Sequence, residues 1–180
     1  LAPEIAQRDG RLAGVIMLAP AARPVVEIFL AQTEFHTRRA GEDPQARRWL
    51  GTVRNLVEQI KNRAVPPTEE VFGVCAAYWY DLSSRDGPRA VEAAARVDCP
   101  ILLLHAGRDA ELTGEDFALW QEALGQRPSV RLKRFENLNH LFLPGKGPFS
   151  TDEYRIPGHV DQEVIDEIAR WIKSPRGAEK

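Results

Sequence analysis

The sequence predicts an α/β protein built around a parallel β-sheet, and three observations predict it. The first is Pro100-Ile101-Leu102-Leu103-Leu104-His105-Ala106-Gly107-Arg108-Asp109. A run of large apolar residues between a proline and a glycine reads as a short strand buried on both faces, as parallel sheets require. The second is a like run, Leu12-Ala13-Gly14-Val15-Ile16-Met17-Leu18-Ala19-Pro20. The third is the alternation of such runs with segments of helical periodicity, the way parallel strands are joined. In open parallel sheets reactive side chains gather beyond the carboxyl ends of the strands. Asp109 closes the first run, and His140, in Asn137-Leu138-Asn139-His140, follows the next expected strand after one helix. Both belong at the same sheet edge.

Composition narrows the class. With 180 residues, 43% hydrophobic and 28% charged, the chain can bury a sizeable core as one domain or part of one. A net charge of −2 and a pI near 6.1 provide no long-range field to gather nucleic acid or an anionic membrane. No stretch approaches the roughly 18 apolar residues of a spanning helix. Neither nucleic acid nor membrane is therefore called as a partner. Cys75 and Cys99 lie in apolar settings without CxxC spacing and read as buried free thiols.

Taken in order, Leu1 to Arg8 carries helical spacing and stops at Asp9-Gly10, with no N-cap residue before it. It reads as the tail of a longer helix whose feeding strand lies upstream. From Arg23 to about Arg85 the alternation gives way to helices only. Pro24 starts one through Phe29, Thr37 to Arg48 reads as a solvated turn, and a helix from Arg47 to Asn62 presents Val53, Leu56, Val57 and Ile60 on one face. A further helical segment spans Glu69 to Leu82. An insertion over residues 24–85, between parts 1–23 and 86–180 of the core, is large enough to fold over the sheet edge as a cap. Its ring Trp79 is a candidate for binding substrate, with an equal claim to simple packing.

Arg89 to Val97 is an alanine-rich helix feeding the central strand. Thr113-Gly114-Glu115-Asp116 has capping-box spacing and starts a helix that Gly125 ends. Val130 and Leu132 alternate with Arg131 and Lys133, the mark of a strand with one wet face near a sheet edge. The loop from Leu141 to Val160 is long enough to be functional or mobile. The last helix, Asp161 to Lys173, reads as burying Val164, Ile165, Ile168, Trp171 and Ile172, and the charged tail to Lys180 reads as frayed.

This order of elements, with Gly-Arg-Asp after one strand and Asn-His after the next, resembles the C-terminal half of an α/β-hydrolase, closest to bacterial esterase-like members with a helical cap. The resemblance covers essentially the whole chain. It implies a three-layer α/β/α parallel sheet and the chain order nucleophile, acid, histidine. By position Asp109 matches the triad acid and His140 the triad base, and Phe142 joins Trp79 as a substrate-binding candidate. A serine hydroxyl needs an imidazole to take its proton and a carboxylate to hold that imidazole in one tautomer. The nucleophile elbow Gly-x-Ser-x-Gly is missing: neither Ser83-Ser84 nor Ser129, Ser150 or Ser174 has glycines at that spacing. The nucleophile is expected upstream, and the chain alone is expected to be inactive.

The implied substrate is a small ester or thioester, with no cofactor. The implied partner is the missing N-terminal half, or a second copy pairing along Leu12 to Ala19. His105 reads as a core residue, His36 belongs to the polar insertion, and His159 precedes the last helix. A metal site from Asp109, His140 and His159 lacks short ligand spacing. Gly145-Lys146-Gly147-Pro148 does not lie between a strand and a helix start, as a phosphate loop must. The competing reading is a non-catalytic fragment or interaction module that keeps only the scaffold.

Overall fold

A computed structural model describes residues 1–85 and 87–175, so the expected frayed tail lies outside the described residues. In chain order the elements are α1 (Ala2–Arg8), β1 (Val15–Leu18), α2 (Val25–Arg39), α3 (Pro44–Lys61), β2 (Glu70–Val71), β3 (Val74–Cys75) and α4 (Ala76–Ser83). Then follow α5 (Pro88–Ala95), β4 (Ile101–Ala106), α6 (Gly114–Leu124), β5 (Val130–Phe135), a 3₁₀ turn (Thr151–Arg155) and α7 (Gln162–Lys173). They form two compact units, Leu1–Ala22 with Ala90–Lys180, and Arg23–Arg89.

The first unit is an α/β fold. Its sheet is parallel in the order β1-β4-β5, with Leu103 registered between Met17 and Leu132. Every residue of β4 is buried, which explains its unbroken apolar run: a central strand has no wet face. Ile101 and Leu103 pack with Met17, Ala6, Ala94, Phe117 and Trp120, so α1, α5 and α6 cover one face. Trp120 fastens this layer by donating Nε1–H to the Pro20 carbonyl at 2.9 Å, and Asp116 Oδ1 accepts the Ala22 amide at 3.0 Å. The Asp116 carboxylate therefore ties α6 to the segment after β1.

The opposite face corrects one expectation. In α7 the buried residues are Val164, Glu167 and Trp171, whereas Ile165 and Ile172 are exposed. The wet face of β5 is the cause. Arg131 and Lys133 project toward α7 and meet the Glu167 carboxylate at 2.7 and 3.0 Å, with Arg170 at 3.3 Å. Glu167, fully buried, neutralises the cations that the strand presents, and the helix turns its stripe to bring that carboxylate inward.

The second unit corrects the expectation of helices only. Glu69 to Leu82 is not one helix: β2 and β3 form an antiparallel hairpin, Glu70 opposite Cys75 and Val71 opposite Val74. Its two turn residues, Phe72 and Gly73, have φ of 52° and 83°, the consecutive left-handed pair that tight hairpins need. A non-glycine residue in that region is strained. Here the Phe72 ring packs against Phe29, Trp49 and Trp79 at 4.7, 6.3 and 5.8 Å, which offsets the strain. The turn expected over Thr37 to Arg48 shrinks as well. α2 continues to Arg39, and Asp43 caps α3 by accepting the Gln45 amide at 2.8 Å, with Pro44 at the first helical position. Cys75, expected to be buried, is exposed, and Cys99 is half-buried; both are free.

Because Leu103 is fully buried at the centre of the sheet, Leu103→Ala should destabilise the chain by about 2–5 kcal/mol. Urea denaturation checks this as a lowered midpoint with an unchanged slope.

Candidate active site

The site forms where the chain leaves β4 and β5. The two exits come unusually close: a Cβ on Gly107 would lie 2.7 Å from the Glu136 Cα and 2.8 Å from its carbonyl oxygen. Only glycine fits there. The Arg108 amide then donates to the Leu138 carbonyl at 2.9 Å, which joins the two loops one residue before Asp109.

Asp109 is held from both sides. Its Oδ1 accepts the backbone amides of Glu111 and Leu112 at 2.8 and 2.9 Å, an Asx-type turn. Its Oδ2 is thereby aimed at His140, whose Nδ1–H donates to it at 2.7 Å. The Asp109 side chain is 0% exposed and that of His140 29%, so the carboxylate is dry while the imidazole keeps one accessible edge. With the proton on Nδ1, Nε2 carries the free lone pair, the arrangement a general base requires. The bond to Asp109 raises the His140 pKa above its ordinary value; burial opposes this, and the charges of Asp109 and Glu111 add to the rise.

Sequence reasoning missed several residues around this pair. Glu111 Oε2 lies 3.8 Å from His140 Nε2, and Glu111 Oε1 accepts the Tyr154 hydroxyl at 2.8 Å. Burial, and then the bond to Glu111, push the Tyr154 hydroxyl pKa up. Asn139 is buried, and its Oδ1 accepts the amides of Leu141 and Leu143 at 3.1 and 3.2 Å. That ring of bonds shapes the loop carrying His140. The one readable signal was Ser150-x-x-Glu153, whose capping box starts the 3₁₀ turn.

The structure brings Asp109 and His140 together. Phe142 adopts φ of 57° and is buried, its ring 6.3 Å from that of Phe135. Trp79 belongs to the second unit, where its Nε1–H donates to the Val71 carbonyl at 2.8 Å. His105 is buried and stacked on Phe117 at 5.0 Å, and burial pushes its pKa down. His159 lines a cleft of about 450 Å³ with Asn139, Lys146 and Glu153. Among the described residues no group of three or more His, Cys, Asp or Glu side chains is arranged to hold a metal ion. No described helix is long and apolar enough to cross a membrane.

Fold and site together define an α/β protein with a buried carboxylate oriented on a histidine at the carboxyl edge of a parallel sheet. No family model matches the chain. The chain is similar to a protein named Esterase EstD from Thermotoga maritima, 40% identical over 172 residues that make up 96% of this chain and 40% of the relative. It thus spans about 40% of the length of the curated relative it matches.

His140 should titrate above its ordinary value of 6.5, and Asp109→Asn should bring it down, read by NMR. A pKa raised in the folded state contributes stability that is complete below the unfolded value and lost as pH rises through the folded one. The unfolding free energy should therefore decline as pH climbs from about 6 across the His140 titration. In His140→Ala that part of the decline should vanish.

Proposed function

We propose that this chain supplies the acid and base of a serine hydrolase that cleaves carboxylic ester or thioester bonds by acyl transfer. The observation that carries the reading is the 2.7 Å bond between Asp109 and His140 beyond the ends of two adjacent parallel strands. The likeness to a protein named as an esterase supports ester chemistry in particular. In this reading the chain is the C-terminal portion of an α/β-hydrolase-type core and residues 24–85 are its helical cap. The nucleophilic serine and the oxyanion donors come from an upstream portion, which pairs along the free side of β1.

His140 Nε2 takes the proton of the serine hydroxyl as its oxygen attacks the carbonyl carbon, and Asp109 stabilises the imidazolium that forms. The same Nε2–H then protonates the departing alkoxide or thiolate. Water repeats the sequence on the acyl-enzyme, losing its proton to Nε2 and releasing the acid. The raised pKa of His140 suits both halves of that cycle, since the base must accept a proton and return it near neutral pH. Trp79 and Phe142 are assigned to substrate contact.

Turnover of a chromogenic ester tests the proposal, measured with the chain alone and with a polypeptide supplying a strand followed by Gly-x-Ser-x-Gly. Hydrolysis should require both parts, and His140→Ala or Asp109→Asn should lower kcat on the order of 10⁴-fold. Turnover by the chain alone, or variants that hydrolyse normally, would contradict the assignment. No turnover in any arm would leave the scaffold reading.

A further inference from the structure

Arg108 and Asn139 are the immediate chain neighbours of Asp109 and His140, and both bond to one carboxylate. Arg108 Nη2 and Nη1 donate to Glu153 Oε1 and Oε2 at 2.5 and 3.1 Å, a two-pronged pair whose side chains are 8% and 22% exposed. Asn139 Nδ2 donates to the same Oε2 at 3.3 Å. The guanidinium has two further acceptors, the carbonyls of Gly147 at 2.7 Å and Lys146 at 3.4 Å. Planar, two-pronged guanidinium–carboxylate contacts fix orientation as well as distance, more so when shielded from water. The next residue of the same 3₁₀ turn, Tyr154, holds Glu111, two residues past Asp109. A single short turn therefore reaches both loops that meet at the pair.

We propose that Glu153 is a positioning residue that holds the Asp109 and His140 loops in register through Arg108 and Asn139. Beyond this clamp the exits of β4 and β5 are joined by the Arg108 amide to the Leu138 carbonyl and by the Gly107 amide to the Phe135 carbonyl. Those bonds set the height of the loops but not the angle between two side chains that must meet at 2.7 Å. The Asp109 turn aims its own carboxylate, and Glu153 sets the remaining orientation by seating the residue before Asp109 and the residue before His140. The catalytic consequence rests on the hydrolase reading; the effect on the Asp109–His140 bond does not.

Two variants of the full chain test it by different routes. Glu153→Gln keeps the shape but removes the charge that both Arg108 prongs require. In Gly145→Ala the added methyl would overlap Arg108 Nη1, displacing the guanidinium while both charged partners remain. Thermal melting monitors folding, and the low-field proton NMR signal of His140 Nδ1–H with the His140 titration monitors the pair. In both variants the signal should weaken or move upfield, and the His140 pKa should fall toward 6.5. In the nucleophile-complemented protein kcat should drop about 10- to 100-fold with KM unchanged. Variants that melt lower yet keep the His140 signal and titration would reduce Glu153 to a structural role and overturn the proposal. If Glu153→Gln does not fold, Gly145→Ala decides alone. The expected loss of the His140 signal and fall of its pKa in both variants, with no turnover in any protein, would refute the hydrolase reading and leave the clamp standing.

Discussion

The approach of Gly107 to the backbone of Glu136 is the constraint on which the rest of the site depends. Any side chain at 107 would force the two strand exits apart, because its Cβ would meet main-chain atoms at 2.7 and 2.8 Å, which cannot swing aside as a side-chain tip can. Once the exits touch, the Arg108 amide reaches the Leu138 carbonyl, and Asp109 and His140 come within one hydrogen bond of each other. Asp109 serves two purposes at once. One oxygen closes its own turn on the amides of Glu111 and Leu112, and that closure aims the other at the imidazole.

The central strand and its acid were legible because a fully buried parallel strand must be apolar throughout, so its end is visible as the first polar residues after Gly107. His140 was legible by the same topology, one crossover later. What escaped was set by tertiary partners. Glu167 is charged and at helical spacing, so composition alone places it in water; it is buried because β5 turns Arg131 and Lys133 toward it. The β2–β3 hairpin depends on Phe72 accepting a left-handed conformation, which aromatic packing stabilises against local preference. Glu153, Arg108 and Asn139 assemble from segments far apart in the sequence, and only spatial proximity joins them.

The second unit has a logic of its own. Its core gathers Val26, Val53, Val57, Ile60, Val65 and Val71, and its rings carry polar ties: Tyr80 Oη donates to the Val65 carbonyl at 2.7 Å, and Trp79 Nε1 to Val71. Such ties let large rings be buried without orphaned polar atoms. Among the described residues of the first unit β1 has a strand partner on one side alone, and Leu18 is 50% exposed. An open parallel edge of this kind is a template for a further strand.

The chemistry of the pair turns on which nitrogen of His140 carries the proton, since a base needs Nε2 free while Asp109 holds Nδ1–H. Nitrogen-15 chemical shifts of His140, recorded above its titration in the folded chain, measure this directly. The prediction is the Nδ1–H tautomer in the wild-type chain and a mixture of tautomers in Asp109→Asn. A dominant Nε2–H tautomer in the wild type would contradict the role assigned to Asp109 and, with it, the pair as the acid and base of the site.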